Sequence, residues 1–376
     1  MRTTALLLAG MLALAACGRE ADAPAPEPIA PVGVAASDET SLAAPANGLA
    51  FWMHPNVAFN SLLIAASADG LAAYNIEDGA AVSSVPGVNV SGVAVSYLGF
   101  GPTATGVVAA FQPDASAFAF YRIDNGARNF APLAGGPLAS TLDIRGAVRG
   151  FCFGRGDGVE TPSLYVVQRG KILVFNFEDQ DSGLAPAANI TMDAPDDLVT
   201  CAVDSDGALL TVSATGAIFR LDGEDSFKAP FARAQISEIG GLAVIAATAP
   251  EGDTPEGEEP AVYGQIALLD KSTGAVHLFD RTDGRALGAV TIQATDEIEG
   301  VTAAAAMGAT GANLGGLYRD GLVALSVDGA AAVRFIPLNG LANALAFPVG
   351  APVNPRGVVA PDEDDGLLIN IEFVAE

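Results

Sequence analysis

The chain has 376 residues, with 44 Asp plus Glu against 18 Lys plus Arg, a formal net charge of -26 and 2 His. No Lys/Arg cluster offers the basic face that nucleic-acid binding needs, and two His with three Cys leave little for a zinc site. Half of the residues are hydrophobic and 16% are charged, so the chain builds a core and is not a disordered acidic segment.

In chain order, residues 1–16 carry one early charge, Arg2, and then an apolar stretch too short to span a bilayer, which reads as an export signal. The stretch ends Leu14-Ala-Ala-Cys17-Gly18 and resembles the lipobox of bacterial lipoproteins, in which the Cys is lipidated after cleavage. Cys17 is therefore the expected lipid anchor, with Gly18 favouring the outer membrane, facing the periplasm or the exterior. Acyl chains contribute about 0.8 kcal/mol per buried methylene, which holds a protein at a membrane without a spanning helix. Residues 17–45 are rich in Ala and Pro and read as a tether. No later apolar run approaches the roughly 20 residues of a membrane-spanning helix.

Residues 46–376 read as one domain of repeated short strands. Nine Asp-Gly dipeptides, beginning at Asp69, Asp78, Asp157, Asp206, Asp222, Asp283, Asp320, Asp328 and Asp365, punctuate the chain. Several separate short β-type runs, the pattern of tight hairpins. Ala208-Leu-Leu-Thr-Val-Ser followed by Ala217-Ile-Phe-Arg-Leu is one such pair. The Ala-rich stretch Val301–Met307 fits a helix or a strand. Evenly spaced strands of this kind form closed or radial all-β architectures, and six four-stranded blades would use about 55 residues each. A six-bladed β-propeller is the expected fold, with the acidic, Pro-rich insert 248–260 as a solvated loop.

The phosphate loop, nucleophile elbow and zinc-protease helix motifs are all missing. Trp52 reads as a packed aromatic, His54 as a structural histidine and His277 as a strand surface residue. Asp204-Ser-Asp-Gly207 and Asp362-Glu-Asp-Asp-Gly366 lack the twelve-residue calcium-loop pattern and read as a turn and an acidic tail. Cys152 and Cys201 leave two readings open, a disulfide or two buried small hydrophobes.

Phe51-Trp-Met-His-Pro55, Ser61-Leu-Leu-Ile64 and Gly70-Leu-Ala-Ala-Tyr-Asn-Ile76 resemble, in order, the opening of the β-propeller phytases. Further runs continue the resemblance along the body: Phe120-Tyr-Arg-Ile-Asp124, Gly150-Phe-Cys-Phe153, Cys201-Ala-Val-Asp204, Val276-His-Leu-Phe-Asp-Arg281 and Glu297-Ile-Glu-Gly300. The resemblance implies a six-bladed propeller and calcium-dependent hydrolysis of phosphate monoesters on myo-inositol hexakisphosphate, the 3-phytase reaction. It places calcium on Glu297, Glu299 and Asp204 and a phosphate contact on Arg169, and identifies no catalytic residue. Elsewhere the charged positions of the family pattern are replaced: its leading Asp pair by Asn47-Gly48, an Asp and an Arg by Ala94 and Ser96, and a Glu-Gly-Cys by Val199-Thr-Cys201. Two functions follow as expectations. One is a phytase-like phosphohydrolase acting on an inositol phosphate or a similar ester. The other is a non-catalytic, envelope-anchored propeller serving as a binding or interaction module. Either is expected to be a monomer.

Overall fold

The computed structural model describes residues 29–357 except 134–139, 157, 181–182, 222–226 and 250–261. Cys17, the export signal, most of the acidic insert and the Asp362–Gly366 tail lie outside the described residues.

Short runs with turns between them fold into antiparallel sheets, and here the sheets number six. Blade 1 runs Ala46–Trp52, Leu62–Ser67, Gly70–Asn75 and Ala81–Pro86 from the axis outward, and blades 2 to 5 repeat the order. The inner strands of blades 2 to 6 are Gly92–Leu98, Gly150–Gly154, Leu198–Val203, Ile239–Thr248 and Ala304–Thr310. Each inner strand packs on the next, and the sixth packs on the first, so the ring closes. The protein is an all-β, six-bladed propeller.

The second strand of each blade is sandwiched between its own neighbours and the adjacent blades. That explains continuous apolar runs such as Leu62-Leu-Ile-Ala-Ala66 and Leu322-Val-Ala-Leu325, all buried, where a half-exposed strand would alternate. The core is accordingly a set of inter-blade clusters. One is a phenylalanine group between blades 2 and 3, with Phe118 and Phe151 rings 4.7 Å apart, edge to face.

Among the described residues, six Asp-Gly dipeptides close loops between consecutive strands of one blade. The glycine takes the left-handed backbone that such turns demand, as at Gly79 (φ 67°) and Gly207 (φ 88°). The Ala-rich stretch resolves as strand: Ala304–Thr310 is the inner strand of blade 6. Small side chains suit that position, because the inner strands converge on the axis. The single α-helix among the described residues, Leu338–Leu345, packs outside blades 5 and 6. Among those residues no helix is long and apolar enough to cross a membrane.

The propeller begins earlier in the chain than its composition suggests. Asp38–Ser41, inside the stretch read as a tether, is the outermost strand of blade 6, paired with Ala332–Phe335. Val32–Ala35 adds in parallel to the outer strand of blade 5. Outer strands need little apolar surface, so the local composition does not reveal them. His277 also differs from its expected place: it is 6% exposed, in the third strand of blade 5. Burial holds its imidazole below the usual value, with Asp270 opposing.

Candidate functional site

Because all six inner strands run the same way, the propeller has an upper end where they begin and a lower end where they finish. Between the ends runs an axial channel of about 490 Å³, within the roughly 300–1,000 Å³ typical of small-molecule sites. Glycines let its walls approach: a Cβ added to Gly48 would lie 2.9 Å from the Gly92 Cα of the next inner strand. Phe51, Val93, Leu242 and Met307 supply apolar wall, with Ser91, Thr200 and Thr310 as neutral polar groups. Among the described residues that line it, the charged ones are Arg149 and Arg155; there is no Asp, Glu, Lys or His.

The two arginines flank one strand, Arg149-Gly-Phe-Cys-Phe-Gly-Arg155, and so stand at opposite ends of the channel. At the upper rim Arg149 is exposed, and its Nη1 donates to the Asp196 and Leu198 carbonyls at 2.5 and 3.2 Å. Beside it, Arg169 pairs with the Asp196 side chain at 3.4 Å, both largely exposed. At the lower end Arg155 Nη1 donates to the Val159 and Glu160 carbonyls, each at 3.0 Å, and its guanidinium lies over the Phe100 ring.

A strap forms the floor of the lower end. Ala351–Pro352 pairs with Ala247 and Thr248 of blade 5. Val353, Asn354 and Pro355 then line the channel, and Arg356 plugs in beneath blades 1 and 2. Its guanidinium is 0% exposed, donates to the Met53 and Ala104 carbonyls and to Asn125 Oδ1, and stacks near Trp52 and Tyr97. Among the described residues it has no carboxylate partner. Burial lowers the guanidinium pKa, Tyr97 opposing, and raises that of the Tyr97 phenol, Arg356 opposing. Trp52 is fully buried, and His54 Nδ1 accepts from the Asn56 and Val57 amides, so both are structural. Burial, then Arg356 and Arg128, hold the His54 imidazole below its ordinary value.

The residues assigned to metal and phosphate by resemblance do not form one site. Asp204 follows the inner strand of blade 4, at the lower end, while Glu297 and Glu299 precede that of blade 6, at the upper end. Asp204 is 0% exposed, and its Oδ2 accepts from Arg220 Nη1 at 2.8 Å and Arg281 Nε at 2.9 Å. Two guanidiniums thus occupy the carboxylate and tie blade 4 to blade 5. Glu297 and Glu299 are exposed, and the Glu299 carbonyl accepts from Arg334 Nε at 3.2 Å. Arg169 shares the upper end with them, on blade 3. Among the described residues no three His, Cys, Asp or Glu side chains group in a way that could hold a metal. These three carboxylates therefore do not fit a shared calcium. Cys152 and Cys201, on the inner strands of blades 3 and 4, are joined by a disulfide with Cα atoms 5.4 Å apart.

A scan against protein-family models finds no match, and a search of curated proteins finds none. Among solved structures, the Dos1 propeller aligns at 10% identity over 87% of this chain and 98% of that one, with a TM-score of 0.39. Arg149, Arg155 and Arg356 escaped the sequence reading. The one signal for the first two is a pair of arginines bracketing a strand in a chain with few cations.

Proposed function

We propose that this protein is a non-catalytic binding propeller that takes a small molecule into its axial channel. One observation carries the reading: a channel lined by all six blades and crossed at one end by the strap, whose described lining residues offer no acid, base or nucleophilic side chain beyond hydroxyls and two arginines. Phosphate-ester hydrolysis needs cations and carboxylates converging on the scissile group, and Asp204 is committed to Arg220 and Arg281. With Cys17 as a lipid anchor, the module would be displayed at the cell envelope.

A second reading, a calcium-dependent phytase-like hydrolase, is supported by the ordered motif resemblance and by Glu297, Glu299 and Arg169 sharing the upper end. The two separate by experiment. Calcium calorimetry is paired with phosphate release from phytate and p-nitrophenyl phosphate over a calcium series. The binding reading expects no release at any calcium level. Release that disappears in Glu299→Ala would replace it with the hydrolase.

A further inference from the structure

We propose that the channel ligand is an anionic amphiphile, with its apolar body against the neutral wall and one carboxylate or phosphate headgroup on Arg149. This rests on the binding reading above and names the ligand class. The two charged lining residues are not equivalent. Arg155 is spent at the floor, on the Val159, Glu160 and Arg356 carbonyls. Arg149 is exposed at the open rim, pinned through Nη1 alone, and has no carboxylate partner among the described residues. The acid beside it, Asp196, already pairs with Arg169 and so opposes an incoming anion less.

A guanidinium held by one nitrogen can still present its other N–H groups as a fork to a carboxylate or phosphate. The charge balance restricts the ligand further. A net charge of -26 repels polyanions, but charges beyond about 8 Å are screened at physiological salt. A single headgroup in contact with a single arginine is therefore favoured where a hexakisphosphate is not. The strap crosses the lower end from blade 5 to blade 1, so a molecule with one polar terminus fits better than a chain threaded through the axis.

Calorimetry on the purified protein tests this with decanoate, decyl phosphate and the neutral decanamide, against wild type, Arg149→Gln, Arg149→Lys and Gly241→Leu. Gly241 lines the channel, and a Cβ there meets nothing closer than 3.7 Å, so a leucine fills the channel without forcing the backbone. One or both anions should bind, and Arg149→Gln should weaken them about tenfold or more, the scale of a charged hydrogen bond. Arg149→Lys should restore most of the loss, decanamide should not respond to either change, and Gly241→Leu should abolish binding. Equal affinity for decanamide and the anions, or indifference to Arg149→Gln, with binding still lost in Gly241→Leu, overturns the amphiphile and leaves the channel reading standing. Binding that survives Gly241→Leu, or no binding of any probe, overturns the amphiphile in the channel. Phosphate release remains the separate test of the underlying reading.

Discussion

The two ends of the channel treat charge in opposite ways. At the lower end Arg356, Arg281 and Asp204 are all but inaccessible, and each is satisfied by main-chain carbonyls or by an opposite charge. At the upper end Arg149 and Arg169 stand in solvent, where water screens them. The lower charges hold blades and strap together, whereas the upper ones are available to something that arrives. Sequence distance hides this difference, since Arg149 and Arg155 sit a single strand apart.

The comparison breaks if substitutions at the two ends cost alike. Asp204→Asn should be the most damaging, about 3–5 kcal/mol, because buried Arg281 loses its counter-charge and half-buried Arg220 keeps only its pairing with Asp206. Chemical denaturation measures it, and added calcium should not recover the loss. Arg356→Met should follow at about 3 kcal/mol, from carbonyls left unsatisfied and a strap released from blades 1 and 2. Limited proteolysis should then cut near residue 350 while the blades stay intact.

His277 sharpens the contrast through pH. Its imidazole is held below the ordinary value in the folded state, so below about pH 6.5 the unfolded chain takes up the proton first and stability falls with pH. The loss is complete once the folded form also protonates. His277→Gln should therefore lose less stability than wild type between about pH 7 and pH 5 in parallel denaturations. Smallest of all, Arg149→Gln should change stability by no more than about 0.5 kcal/mol. A larger cost would make the upper rim structural as well.

Much of the architecture was legible because it is local. Asp-Gly turns and five- to seven-residue apolar runs are decided by neighbours in sequence, and Ala208–Leu221 folds as its pattern says. Asp38–Ser41 was not legible, since an outer strand is recruited by the blade it completes and not by its own residues. The site was harder still. The Cys201-Ala-Val-Asp204 run looks like a ligand motif, yet its partner Arg281 comes from the next blade, at the end of the Val276–Arg281 run. Arg356 leaves no side-chain pattern at all, because its acceptors are mostly carbonyls of the main chain.

The closure of blade 6 by Asp38–Ser41 has a consequence for the order of folding. A chain emerging from its N-terminus presents this strand ahead of blade 1, while its partner Ala332–Pro337 emerges almost last. Blades 1 to 4 can pair internally as they appear, but Asp38–Ser41 must wait for its partner for nearly the whole polypeptide. Ring closure is then one late, long-range event that circularises a row of preformed sheets. A truncation anywhere after blade 4 should leave an open arc with Asp38–Ser41 lacking its partner strand, and not a smaller propeller.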